Sequence, residues 1–415
     1  MVYRLGSFVV TPGIDSDALL GFTDSFFGGV GSLFDFFGGG NISQMTIFAL
    51  GVTPYITASI IIQLLESELV PSMKEWKHQG VDGQNKRSSY TKYLAIVVAF
   101  IQALAISFGI YASYGTSFVT NNNFIMIALI MTAGTAIMMW LGDRITEKGI
   151  GNGMSVLIMA GILAQMPTQM NSIYSSFNEM EKAEAYQNAL VWSLIGIITL
   201  IVIIMVIYYN LAYRRVPINY VRSGKGTVRK NSYLPIKLNP AGVIPVIFAG
   251  PLIMVLNLGV TWICDNLEFF TKNGIGVYED ILRSLFSPGI YWMVYVIVFS
   301  AIILAFSIFY SYIQMNPENM AESLEKQSAY IIGVRPGDDT VDYLSEVILR
   351  TTLWGGLILA LLAVLPTILQ KVAGIQHNMA LMGTGLIIVV SVLVQTFQAL
   401  SNKVESKKYR RLIGA

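Results

Sequence analysis

Apolar residues along this chain gather into runs near residues 45–65, 93–114, 124–141, 154–167, 189–212, 240–264, 291–314, 351–370 and 379–399, with polar stretches between them. A helix of about 20 apolar residues crosses the roughly 30 Å of hydrocarbon in a bilayer. The pattern therefore predicts a chain that crosses a membrane repeatedly. Met1–Val10 reads as the distal tail of one further span, a first helix that is truncated here. The stretch Phe26–Gly40 is also apolar, but it is short and holds six glycines. Glycine costs a helix interior up to about 1 kcal/mol per residue, so this stretch predicts a re-entrant or half-inserted element. Such backbone is tolerated only where protein or a water-filled cavity covers it.

Composition agrees. Hydrophobic residues make up 54% of 415 residues and charged residues 13%, with a mean hydropathy of +0.60, whereas a soluble domain is about 45–50% apolar and about 25% charged. The net charge of +2 says little; its placement says more. Of the 27 Lys and Arg residues, 22 fall in segments 66–92, 142–153, 213–239, 315–350 and 400–415. Those segments alternate with the others across the predicted spans, so the positive-inside rule places them, and the C-terminus, in the cytoplasm.

The single cysteine, Cys264, excludes an internal disulfide framework and a four-thiolate metal site. His78 and His377 lie far apart and outside the apolar runs, so neither a histidine zinc site nor a Ser-His-Asp triad has its raw material. No Gly-x-x-x-x-Gly-Lys-Ser/Thr sequence occurs, so the chain is not expected to hydrolyse ATP. The expectation is a protein that is not an enzyme, with no cofactor and no metal.

An internal repeat is visible. Gly51-Val52-Thr53-Pro54-Tyr55-Ile56-Thr57-Ala58 and Gly242-Val243-Ile244-Pro245-Val246-Ile247-Phe248-Ala249 share the pattern Gly-Val-x-Pro-x-Ile-x-Ala. They open the second and seventh spans, which cross in opposite directions. An inverted five-plus-five duplication leaves such a trace, and helices interrupted at corresponding places usually flank the functional pathway. Coincidence in a low-diversity alphabet is the competing explanation.

None of the nine complete spans contains Asp, Glu, Lys or Arg. Ion-coupled carriers usually need such a group at mid-membrane, so a proton-coupled carrier is disfavoured. What remains is a pathway lined by aliphatic side chains, which blocks ions by staying dry and could close around a passing polypeptide. Segment 213–239 carries Arg214, Arg215, Arg222, Lys225, Arg229, Lys230 and Lys237, with Tyr220 and Tyr233 interleaved. Topology alone explains part of this charge, and the rest could grip an anionic surface. In segment 315–350, Gly333-Val334-Arg335-Pro336-Gly337 predicts a turn that presents Arg335, although a lone loop arginine is often simply solvated.

Several motifs together resemble the SecY family, the central subunit of the bacterial Sec translocon. They are Arg4-Leu5-Gly6-Ser7 with Pro12-Gly13-Ile14-Asp15, the run Pro54–Gln63, Ile150-Gly151-Asn152-Gly153-Met154-Ser155, Ala241–Pro245 and Ile332–Gly337. The resemblance runs from residue 1 to about 411.

The resemblance implies an all-α polytopic membrane protein of ten transmembrane helices in an inverted repeat. Residues 1–170 would form the N-terminal half and 188–400 the C-terminal half, with 401–415 a cytoplasmic tail. It implies a protein-conducting channel of the bacterial cytoplasmic membrane, narrowed by an aliphatic pore ring of Val52, Ile56, Met154, Ile158, Ile247 and Ile388. From the residues alone, ordinary helix packing would serve each of these positions equally well. Phe26–Gly40 would be the plug, with Phe26, Phe27, Gly31, Leu33, Phe34 and Phe36 its apolar body. Spans two and seven would form the lateral gate, with Gln63, Gln102 and Asn257 its polar residues. Arg214, Arg215, Arg222, Lys225, Arg229, Lys230 and Arg335 would dock the ribosome and the SecA ATPase. The implied partners also include the SecE and SecG subunits, signal peptides and preproteins, and membrane lipids. Two rivals remain at this point: an inverted-repeat transporter for a small neutral solute, and an insertase without a continuous pore.

Overall fold

The computed structural model describes residues 2–12, 38–42, 44–66, 73, 76, 79–114, 124–178, 182–220, 232–250, 252–253, 256, 260, 292–372 and 379–413. Ten helices and three strands are named here in chain order: α1 Val2–Gly6, α2 Thr53–Leu64, α3 Val81–Tyr114, α4 Phe124–Lys148, α5 Gly153–Asn178, α6 Lys182–Leu211, β1 Tyr213–Tyr220, β2 Ser232–Lys237, α7 Trp292–Gln314, α8 Pro317–Lys326, β3 Ala329–Ile331, α9 Asp338–Val372 and α10 Met379–Ile413. A further helical run occupies residues 244–250. The chain divides into two compact units, one of Met1–Trp192 with Val392–Ala415 and one of Ser193–Ser391.

Several helices outrun the apolar spans that predict them. Helix α3 has 34 residues, about 51 Å at 1.5 Å per residue, so its polar start lies beyond the hydrocarbon. Among the described residues, five helical stretches are long and apolar enough to cross a membrane: Asp82–Phe108, Phe124–Lys148, Trp292–Lys326, Asp338–Ile368 and Thr384–Ser406. Thr53–Leu64, Gly153–Pro167 and Gly196–Leu211 are apolar but shorter. Their outer faces carry the mark of lipid. On α6, Ile197, Leu200, Ile201, Ile204, Met205 and Tyr208 are exposed at helical spacing, while Val202, Val206 and Tyr209 on the same helix are buried. An exposed apolar stripe of that length would be an aggregation liability in water and is at home in a bilayer.

The expected span 45–65 is helical only from Thr53. Gly51 takes a φ of +54°, which interrupts a right-handed helix, and Pro54 stands in the first turn, where its missing N–H costs nothing. Residues 45–52 instead form turns, with the Gly51 N–H donating to the Phe48 carbonyl at 2.8 Å. The first unit also pins its N-terminal residues. A backbone bridge joins Val10 to Thr46, Tyr3 Oη donates to the Gly38 carbonyl at 2.9 Å, and Asn41 Nδ2 donates to Tyr3 Oη at 3.1 Å.

Segments 213–239 and 315–350, expected as loops, contain folded structure. Strands β2, β1 and β3 form an antiparallel sheet with β1 central. Arg214 pairs with Ile236 and Val216 with Leu234, and Ile218 pairs with Ile331 on the other side. Strand β3 meets only Ile218–Tyr220, so Pro217, which has no N–H to offer, stays outside that ladder. Alternate residues Val216, Ile218 and Ile236 turn inward and pack with Ala321 and Leu324 of α8 and Leu344 and Val347 of α9. Helix α8 starts on Asn316, whose side chain accepts from the Glu318 N–H at 2.9 Å, and Pro317 follows in the first turn, an N-terminus built for helix entry. The period-2 alternation in Tyr-Arg-Arg-Val-Pro-Ile-Asn-Tyr was the available sequence signal for β1.

Candidate functional site

The repeated motif builds the same local structure twice, once in each compact unit. In the first, the Gly51 N–H donates to Phe48, the helix starts two residues after the glycine, and the Ile56 N–H donates to the Val52 carbonyl at 3.2 Å. In the second, the Gly242 N–H donates to Asn239 at 3.4 Å and the Ile247 N–H to the Val243 carbonyl at 3.2 Å. Gly242 has a φ of +66°, and its helical run also begins two residues later. Both motifs thus end a turn on a left-handed glycine and present an aliphatic residue one helical turn beyond the valine that follows it. Asn239 reinforces the second copy by donating from Nδ2 to the Gly242 carbonyl at 2.7 Å.

Of the ring candidates in the first unit, Val52, Met154 and Ile158 are buried and Ile56 is half-buried. Helix α5 starts where the Gly153 N–H donates to Thr146 Oγ1 at 2.9 Å and the Met154 N–H to Asn152 Oδ1 at 3.0 Å. The close approach of α4 and α5 depends on glycine: a Cβ on Gly153 would run into the Gly142 carbonyl oxygen, and one on Gly142 would press on Met154 Sδ. Met154 therefore packs beside Gly142, next to the charged end of α4, and Ile158 lies one turn further along α5. Gly39, with a φ of +77°, would place a Cβ 3.1 Å from Gly161 Cα of the same helix. In the second unit, Ile247 is buried, Ile388 has no exposed surface, and Phe248 meets Phe306 and Tyr310 of α7 edge-on.

Gln63 lies on α2 and donates from Nε2 to Ser59 Oγ at 2.9 Å; Gln102 lies on α3, which packs along α2. A polar feature missed by sequence reasoning sits at the end of α2. Glu66 is buried, and its Oε2 stands 3.4 Å from Arg87 Nη1 of α3, whose side chain is 46% exposed. Lys92 and Asp143 join α3 to α4 at 2.7 Å. Both pairs lie just outside the apolar runs, so hydropathy alone passes over them.

Of the docking candidates, Arg214 and Arg215 lie on β1 and Arg335 in the loop before α9; all three are exposed. The Arg215 guanidinium stands 5.3 Å from the ring centre of Tyr213 and 4.9 Å from that of Tyr233. Its Nη2 donates to Tyr213 Oη at 3.0 Å. That hydrogen bond, with the nearby positive charge, holds the Tyr213 phenol below its ordinary pKa and raises that of Arg215. Phe26, Phe27, Gly31, Leu33, Phe34, Phe36, Arg222, Lys225, Arg229, Lys230 and Asn257 lie outside the described residues.

A family model described as SecY matches residues 46–397. The protein translocase subunit SecY of Bacillus licheniformis is 36% identical over 426 residues, covering 99% of this chain and 93% of its own length. The subunit of that name from Staphylococcus aureus is 34% identical over 422 residues, again covering 99% and 93%. Among solved structures, a protein-conducting channel superposes with a TM-score of 0.59 at 20% identity, covering 97% of this chain and 89% of that one. Sec61 in a canine ribosome–channel complex from the endoplasmic reticulum gives 0.57 at 20% identity, with the same coverage. The structural likeness establishes the fold, an all-α polytopic membrane protein whose short sheet lies outside the apolar spans.

Proposed function

The chain belongs to the SecY family, and from that premise we propose that it forms a protein-conducting channel, passing unfolded preproteins across the bacterial cytoplasmic membrane and releasing apolar segments sideways into lipid. The observation that carries the reading is the twofold occurrence of one helix start. Gly51 and Gly242 each interrupt a span and set Ile56 and Ile247 at equivalent places. Helix breaks at matching positions in two halves are the usual mark of a pathway through an inverted repeat.

In this reading Val52, Ile56, Met154, Ile158, Ile247 and Ile388 make an apolar waist. A dry constriction resists ions because a hydrated ion finds nothing polar there to replace its water, whereas a polypeptide brings its own apolar side chains. The two halves, 1–170 and 188–400, part at the helices that bear Gln63 and Asn257, and residues 26–40 seal the outside. Arg214, Arg215 and Arg335 engage the ribosome or the SecA motor together with Arg222, Lys225, Arg229 and Lys230. SecE and SecG complete the assembly, and the C-terminus is cytoplasmic. The chain supplies a path and no catalysis, with the energy coming from the partner that docks. Full-length similarity to protein translocase subunits favours this channel over the transporter of a small neutral solute.

The decisive experiment traps a stalled preprotein in the full assembly and crosslinks it from photoreactive residues at positions 56 and 247. Both are expected to capture the same nascent segment. Capture from neither, with capture from the lipid-facing stripe of α6 instead, would overturn the channel.

A further inference from the structure

The loop of residues 332–337 leaves β3 after Ile331 and enters α9 at Asp338. Its two ends are firmly held. Ile331 and Leu344 are buried in the sheet–helix core, and Val334 and Val341 pack against that core. The loop backbone between them is uncovered: a Cβ on Gly333 or Gly337 would meet no atom within 4 Å. Its shape therefore depends on its own bonds.

Three sets of bonds are visible. The Val334 N–H donates to the Ile331 carbonyl at 3.2 Å, closing a turn whose third residue, Gly333, has a φ of +87°; that value suits glycine. The Gly337 carbonyl accepts from the N–H groups of Thr340 and Val341 at 3.0 and 3.3 Å, which starts α9. Finally, Thr340 Oγ1 donates to the Arg335 carbonyl at 2.7 Å. Thr340 is only 5% exposed, so water competes poorly for its hydroxyl. Among the described residues, no other side chain bonds the backbone of this loop.

The Arg335 side chain is exposed, with no ion pair or hydrogen bond among the described residues. The other two cations of segment 315–350 are occupied, Lys326 by Glu322 at 2.6 Å and Arg350 by Glu346. Among the described residues of that segment, Arg335 is the cation without an ion pair, and it is the residue whose carbonyl Thr340 holds. Fixing a binding loop before its partner arrives removes an ordering cost from association.

We infer that Thr340 is a positioning residue: its hydroxyl clamps the Arg335 backbone so that the guanidinium meets an acidic surface of the cytosolic motor in one preset direction. This rests on the channel reading above. Isosteric Thr340→Val removes the hydroxyl and keeps the volume, whereas Thr340→Ser keeps the hydroxyl.

The test uses the full chain with its partner subunits in vesicles and measures motor-driven import of a model preprotein. Thr340→Val is expected to raise the motor concentration needed for half-maximal import roughly fivefold, the scale of one hydrogen bond, with the maximal rate unchanged. Thr340→Ser restores it, and in an Arg335→Ala background Thr340→Val has no further effect. Amide exchange at Val334 and Val341, whose N–H groups are bonded to the Ile331 and Gly337 carbonyls, is expected to quicken in Thr340→Val and not in Thr340→Ser. Unchanged exchange in Thr340→Val overturns the clamp. Losses that multiply in the double variant, or that serine fails to repair, overturn its action through Arg335. Normal import by Arg335→Ala alone sinks the docking role of that arginine, and the exchange result then still decides the clamp.

Discussion

Gly51 and Gly242 take the same left-handed backbone, with φ of +54° and +66°, and each stands two residues before a helix start. The equivalence lies in the backbone as well as in the letters, since Ile56 and Ile247 close their first helical turns through bonds of 3.2 Å to Val52 and Val243. Two physical copies of one helix start are what a duplicated ancestor leaves, each in its own compact unit.

Replacing either glycine tests that conformation. A Cβ on Gly51 would make only an ordinary contact, 3.5 Å from Gly38 Cα, so the penalty comes from the backbone. Left-handed φ costs a residue with a Cβ about 1–2 kcal/mol. Gly51→Ala and Gly242→Ala are each expected to lower the thermal midpoint of the purified protein. An unchanged midpoint would show that the turn is not required.

The aliphatic candidates differ in burial, so their replacement is expected to read out differently. Ile388 has no exposed surface, so Ile388→Ala is expected to destabilise the protein by about 2–5 kcal/mol. Ile56 is half-buried, and Ile56→Asn is expected to cost less stability while raising ion leakage across proteoliposomes. Electrical recording on planar bilayers checks this; a seal as tight as wild type would remove Ile56 from the waist.

The ion pair at the end of α2 has unequal partners, with side-chain exposures of 46% for Arg87 and 5% for Glu66. Removing Arg87 leaves a buried carboxylate without its countercharge, whereas Glu66→Gln removes the charge itself. Because Arg87 is half in solvent, its loss is expected to cost about 1–2 kcal/mol, below the figure for a fully buried pair. Arg87→Ala should therefore melt at a lower temperature than the double variant Arg87→Ala with Glu66→Gln. The reverse order would mean that the pair contributes nothing.

On the outer face of the hairpin, Arg215 donates to Tyr213 and lowers its pKa. The sign follows from the partner: a guanidinium favours the phenolate, so Tyr213 ionises at lower pH than an isolated tyrosine. An ultraviolet difference titration against Tyr213→Phe should show this, and Arg215→Gln should move the transition up. A transition that stays in place would mean that the contact does not persist in solution.

Charge reversal at the loop arginine tests docking directly. Arg335 is exposed and unpaired among the described residues, so Arg335→Glu is expected to assemble normally and to impair motor-driven export. Wild-type export in vesicles would count against the docking role.

That the chain crosses a membrane repeatedly, and that Gly51–Ala58 recurs as Gly242–Ala249, were legible in the order of residues. A bilayer demands contiguous apolar helices, and loop cations orient them, so both signals are local and additive. The sheet was not legible in that way. Ile218 meets Ile331 through a pairing between two segments separated by α7 and α8, and nothing local to either segment names its partner. Neither was the shortening of the second span: its apolar letters continue through Met45–Val52, but Met45 and Gly51 take left-handed φ and the helix starts only at Thr53. Hydropathy also could not say which face of a helix is which. Val206 and Met205 are neighbours on α6, one buried and one exposed, because lipid and protein core select the same side chains. The sequence by itself determined that this chain passes repeatedly through apolar surroundings. Packing alone, through close approaches such as Gly142 against Met154, decided which of those apolar residues face protein.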